Sequence, residues 1–184
     1  MNRFLAPIVL LTLLFPALAI GETMNDLMMR DGLHYKKITD VPFTGNVTGN
    51  YQGSFRNGKE DGPWVSYYDN GQLWFKGNYK DGEKDGPWVS YYDNGELWFK
   101  GTYKDGKKDG PWVSYSDNGQ LASKGTYKNN KKDGPWVFYH KYGQLFYKGT
   151  LKDGKKDGPW VYYWGNGTVN EKYTGTHKNG VEVK

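Results

Sequence analysis

The residues best placed to do chemistry in this chain are aromatic rings and lysines that recur at a fixed step. Over residues 73–79, Trp74 and Lys76 lie two apart, so a regular extended strand would turn both side chains to one face. The same pair recurs as Trp98 with Lys100, Ala122 with Lys124, and Phe146 with Lys148. Two strands per step, ~4.8 Å apart, would set successive copies ~9.6 Å from each other. Rings in such a row can stack on a sugar polymer or grip an extended peptide, while the lysines meet anionic groups. A second row, Phe75, Gly77 and Tyr79 with Phe99 and Tyr103, belongs to the alternate face and could form an aromatic-lined groove. Plain cross-strand packing explains both rows as well, and is the reading we favour for each. The Ala122 break keeps binding open for the first row, because an essential packing position tolerates Ala poorly.

Other chemistry finds little support. Asp81 with Asp85, and Asp105 with Asp109, raise the question of calcium, but lysines sit among them and no oxygen-rich loop pattern is present. Turn formation accounts for these aspartates. His34, His140 and His177 stand in unlike contexts, and there is no nucleophile elbow, phosphate loop or histidine-pair zinc motif. We therefore assign no catalytic residue, no metal and no cofactor, and expect no enzyme activity.

The elements that must carry these residues follow from an internal repeat. Asp-Gly-Pro-Trp begins at Asp61, Asp85, Asp109, Asp133 and Asp157, each 24 residues after the last, without insertion. Each unit holds two β-prone runs, residues 64–68 and 73–79 in the first copy. Asp69-Asn70-Gly71 joins them, a strong hairpin signal because Asn and Gly tolerate positive φ. A longer connection over residues 80–86 carries two Asp-Gly pairs, and Pro63 opens the next strand, where a missing N–H costs least.

Two registers fit the tight turn. A two-residue Asn-Gly loop sets Trp64 opposite Gly77. A three-residue loop with a bulge gathers Val65, Tyr67, Leu73, Phe75, Gly77 and Tyr79 on one face; we lean to the latter because these positions vary least between copies. The predicted fold is all-β: an elongated, single-layer antiparallel meander of hairpin repeats. The expected organisation is a leader over 1–21, an N-terminal cap with a degenerate repeat over 22–52, repeats over 53–164, and a divergent C-terminal repeat and cap over 165–184.

Composition agrees with an aromatic-held fold. Only 36% of residues are hydrophobic, yet the chain has 8 Trp and 16 Tyr, and each such side chain can bury ~150–250 Å². There is no Cys, which removes disulfides, thiol catalysis and thiolate metal sites together. The formal net charge of +5 is spread among interspersed Lys and Asp rather than gathered in an arm, so nucleic acid is not expected as a partner. Asn2 and Arg3, the apolar run from Phe4 to Ile20, and Ala17-Leu18-Ala19 read as a secretory signal cleaved near Ala19 or Gly21. The expected location is thus periplasmic or secreted; an uncleaved membrane anchor is the alternative.

The segment from Phe75 through Gly77, Tyr79 and Gly82 to Gly86 resembles the membrane occupation and recognition nexus (MORN) repeat, and Phe99, Gly101, Tyr103, Gly106 and Gly110 repeat that pattern. The pattern weakens at Ser123 and Leu151. The Gly-Pro-Trp and Asp-Asn-Gly elements resemble the bacterial MORN-variant subgroup, whose members are commonly labelled antitoxin components. The resemblance, spanning about Gly53 to Gly180, implies a twisted one-layer sheet with an aromatic groove for protein or lipid contacts. The function expected is an exported, non-catalytic scaffold binding a protein partner or envelope polysaccharide along an aromatic face. The alternatives are a module for anionic membrane surfaces and an antitoxin-type neutraliser of an exported toxin. The sequence leaves the oligomeric state undetermined.

Overall fold

A computed structural model describes residues 21–183. The leader expected over 1–21 lies outside these residues, apart from Gly21. The described chain forms one open antiparallel meander in which strands follow one another in sequence order from Gly45–Thr48 to Val181–Val183. At one edge Glu22–Thr23 pairs parallel with Gly45–Thr48, and a separate hairpin, Leu27–Arg30 with Leu33–Lys36, folds beside it. A short 3₁₀ turn at Met24–Asp26 joins these pieces. The sheet is thus all-β, single-layered and unclosed, as the repeat implies.

Both connections within a repeat are tight. Between Gly62–Tyr67 and Leu73–Lys80, Tyr68 N–H donates to the Gln72 carbonyl (2.8 Å) and Gly71 N–H to the Tyr68 carbonyl (2.9 Å). Gly71 adopts φ +82°, a left-handed backbone that costs glycine nothing. The loop therefore has three residues, Asp69-Asn70-Gly71. The 80–86 connection is not a long loop. Asp81 and Gly82, both at positive φ, form a two-residue turn between Lys80 and Glu83, and pairing continues to Tyr79 opposite Lys84. In the third unit the same course reads as one strand, Lys107–Tyr115, whose pairing with Leu97–Lys104 shifts between Gly101 and Tyr103. That shift is the bulge that accommodates Gly110-Pro111.

The register corrects the sequence reading. The three-residue loop is present, but a further bulge between Ser66 and Tyr67 returns Trp64 to a position opposite Gly77, and Ser66 to Phe75. The inner face therefore carries Trp64, Ser66, Phe75, Gly77 and Tyr79, and Val65 is paired with Lys76 instead of joining Phe75. Trp64, Phe75 and Ser66 are buried.

Glycine and tryptophan form the spine of this face. Each Trp ring lies across the backbone of a glycine on the preceding strand: Trp64 on Gly53, Trp88 on Gly77, Trp112 on Gly101, Trp136 on Gly125, Trp160 on Gly149. A Cβ at Gly101 would stand 2.0 Å from Trp112 Cε3, where no side chain fits. Tyrosines bridge successive tryptophans edge-on, as Tyr103 does between Trp88 (5.8 Å) and Trp112 (5.5 Å). Phe75 stacks on Trp88 at 4.9 Å, and Phe99 on Trp112 at 5.0 Å. Where Ser123 replaces that Phe, its cross-strand partner Phe138 supplies the ring instead, 5.6 Å from Trp136.

Rungs along both rims tie each repeat to the next. Asn70 Nδ2 donates to the Asp93 carbonyl (2.7 Å) and Asn94 Nδ2 to the Asp117 carbonyl (2.8 Å). On the other rim Gly106 N–H donates to the Lys84 carbonyl, and within the third unit Asp109 Oδ2 accepts from Asn129 N–H.

Gly101→Ala is expected to destabilise the fold by about 1–3 kcal/mol through overpacking against Trp112. Thr102→Ala, on the opposite face, should stay within about 0.5 kcal/mol of the parent. Denaturant midpoints of the two variants check this.

Candidate functional site

The two rows expected on opposite faces are arranged differently from a regular strand. The bulge at Ser66/Tyr67 falls across the strand from Trp74 and swings its ring toward the inner side, 5.3 Å from Phe75 and 5.7 Å from Tyr68. Trp98 repeats this against Phe99 (5.1 Å) and Tyr92 (5.7 Å). Phe146 does so against Tyr147 (4.7 Å) and His140 (4.3 Å). These rings form the rim of the aromatic face, and they remain 40%, 43% and 39% exposed. They therefore do not share a face with Lys76, Lys100 and Lys148, as a regular strand would have required.

The rim row consists of ring pairs at the repeat step: Tyr68 with Trp74, Tyr92 with Trp98, and His140 with Phe146. In the third repeat both members are small, Ser116 and Ala122, so the row is interrupted by a whole pair. The rings also contribute to the sheet, since Tyr68 Oη donates to the Tyr91 carbonyl (2.9 Å) and Tyr92 Oη to the Tyr115 carbonyl (3.0 Å). Rim tyrosines are thereby fixed, while the adjacent tryptophan faces stay open.

Phe75, Tyr79, Phe99 and Tyr103 do not line an empty groove. They are packed among the Trp64, Trp88 and Trp112 rings. Above them runs a set of lysines that the sequence reading passed over. Lys84 Nζ sits 4.2 Å over Trp88, Lys108 4.4 Å over Trp112, Lys132 4.6 Å over Trp136 and Lys156 5.0 Å over Trp160. The signal for them was present: a lysine precedes Asp-Gly-Pro-Trp in all copies but the first, where Glu60 stands. Burial pushes the Lys84, Lys108 and Lys132 amines below the ordinary lysine value, and the Lys108 charge adds to the shift of Lys84 and Lys132. Burial raises the phenols of Tyr51, Tyr79, Tyr103, Tyr127 and Tyr147.

The opposite face carries an alternating row. Reading across strands, Val65, Lys76, Val89, Lys100, Val113, Lys124, Val137, Lys148 and Val161 are successive partners. Among the described residues none of its lysines is in an ion pair. Pro63, Val65, Asn78, Pro87 and Val89 make a mainly apolar hollow around Lys76.

The histidines are scattered. His34 is buried against Phe55 (4.6 Å), His140 packs on Phe146, and His177 lies opposite Gly158 and Glu182. Among the described residues no group of three or more His, Asp or Glu converges as a metal set would. Asp85, Asp109, Asp133 and Asp157 accept from backbone N–H groups of the turns that follow, which is structural work.

Repeats with this hairpin, this Trp-on-Gly spine and this turn chemistry define a class of β-hairpin repeat. A family model described as the MORN repeat variant matches residues 60–81, 84–105 and 108–129. The match takes in three consecutive repeats, and the 24-residue step continues beyond them to Trp160. No curated protein matches the chain.

Alkaline pH tests the buried phenols. An unfolded tyrosine gives up its proton near 10.0, whereas each raised phenol keeps it in the folded state. The folded state then binds more protons, so stability falls as pH climbs past about 10. The depressed lysines act oppositely, regaining stability as pH approaches their ordinary 10.5, but they are outnumbered. Urea midpoints measured from about pH 9 to about pH 11 should decline, and Tyr103→Phe should flatten the decline.

Proposed function

We propose that this chain is an exported, non-catalytic repeat scaffold that holds an extended partner, a protein segment or an envelope polymer, along the rim of its aromatic face. The observation that carries this reading is the row of ring pairs at Trp74, Trp98 and Phe146. Their faces stay open at the repeat step, while the neighbouring Trp and Phe rings are consumed by packing. Open aromatic faces on a rigid frame supply contact area at little entropic cost. The leader read from the sequence supports export. Within the protein-partner reading, a neutraliser of an exported toxin is the particular case implied by resemblance to the antitoxin-labelled subgroup.

A second reading rests on a separate observation, the unpaired Lys76, Lys100, Lys124 and Lys148 row set among valines on the opposite face. It makes that face a docking surface for an anionic membrane. The two readings respond differently to salt, because exposed charges are screened beyond about 8–10 Å at ordinary ionic strength and stacking is not.

The double variant Trp74→Ala/Trp98→Ala should remain folded, since both rings are partly exposed, and should capture at least about tenfold less envelope material from native extracts. Undiminished capture by a folded double variant would reduce the rim to a packing feature. Sedimentation with anionic vesicles at rising salt measures the lysine face independently.

A further inference from the structure

The fifth repeat breaks the rim row in an informative way. At the 24-residue step, Asn170 stands where Trp74, Trp98, Ala122 and Phe146 stand in the earlier copies. Its backbone is fully tied: the N–H donates to the Tyr162 carbonyl (2.8 Å), and the carbonyl accepts from Tyr173 (3.2 Å) and Thr174 (3.1 Å). The residue is only 6% exposed. Its side-chain Oδ1 is enclosed and has no hydrogen-bond partner among the described residues, while Nδ2, which is not sealed, donates to none of them. An unmatched buried amide oxygen is destabilising, and such a group calls for a reason beyond packing.

That amide borders a cavity of about 390 Å³ walled by Phe146, Tyr162, Tyr163, Trp164 and Tyr173, with His140 beside them. The size lies at the small end of the ~300–1,000 Å³ range of small-molecule sites, suited to a single ring. No carboxylate lines it. Lysines lie against the rings of its walls instead: Lys148 5.6 Å from the Tyr163 ring, Lys156 5.1 Å from Tyr162 and Lys172 5.5 Å from Tyr173. Ring walls offer flat faces to C–H groups, and Asn170 Nδ2 offers a hydrogen bond to a hydroxyl oxygen.

We propose that this cavity is a saccharide site for one hexopyranose ring. The C–H face of the sugar lies against the aromatic walls, and a hydroxyl oxygen accepts from Asn170 Nδ2. This site shares the His140–Phe146 pair with the rim row but none of its other rings, and monosaccharide binding here is read separately from envelope capture along the row.

The test uses the full chain with glucose, N-acetylglucosamine and glucuronic acid as probes, and N-acetylphenylalaninamide as a peptide-side-chain probe. Saturation-transfer NMR and tryptophan fluorescence are read together. At least one sugar should receive saturation on its ring C–H protons and perturb the emission. Asn170→Leu keeps the shape and removes the amide; it should weaken that binding about tenfold, equivalent to ~1.4 kcal/mol. Asn170→Trp, which restores the ring of the first two repeats, should fill the cavity and abolish binding without lowering the melting temperature. Thr102→Ala, which lies outside the cavity, should leave the sugar signal unchanged. Binding of the phenylalanine amide alone, binding of no probe, or sugar binding that survives Asn170→Trp overturns the proposal.

Discussion

A tryptophan ring laid flat across a glycine backbone is the contact on which the rest of this sheet depends. A one-layer sheet has no second layer to pack against, so its buried area must be made within one face. Glycine at positions such as Gly77 and Gly101 opens a slot between neighbouring strands, and the Trp88 and Trp112 rings fill it. With the indoles held down, the tyrosines can meet them edge-on and the phenylalanines stack on them. The lysines then close over the rings, setting their partly buried amines against the indole faces. Each layer presupposes the one beneath it, and the lowest layer is a missing side chain.

The same dependency explains how the repeats tolerate variation. Ser123 loses the ring that Phe75 and Phe99 supply, yet Phe138 arrives from the paired strand and stacks on Trp136. Ser114 and Ser123 meet as hydroxyls at 2.7 Å, so the exchange leaves no unpaired polar group there. Leu151 takes the tyrosine position and is buried between Trp136 and Trp160. What persists is the volume above the glycine, not the identity of any one ring.

Much of this architecture was legible in the residues. Asn70-Gly71 and Asp81-Gly82 announce turns by chemistry that admits few other readings, and the 24-residue step fixes their order. The register was harder, because the bulge at Ser66 and Tyr67 is signalled by no residue type; it is a compromise between the three-residue loop and the demand that Trp64 sit opposite Gly77. That single extra residue also explains why Trp74 and Lys76 part company. Sequence spacing places side chains only on a regular strand. The rows of rings and lysines were found by period alone. Their division into buried ladder, open rim and lysine cover depends on cross-strand distances that no spacing encodes.

The rim rungs have a kinetic side. Asn70 reaches Asp93 and Asn94 reaches Asp117, so in each case the partner lies 23 residues ahead. No rung waits for a distant segment of chain. The loop that must close before a repeat can dock stays the same length from the first unit to the last. Relative contact order therefore falls as units are added, and folding can start in any adjacent pair of hairpins and spread outward. A chain built this way can lengthen its surface by whole repeats without slowing the step that begins its folding.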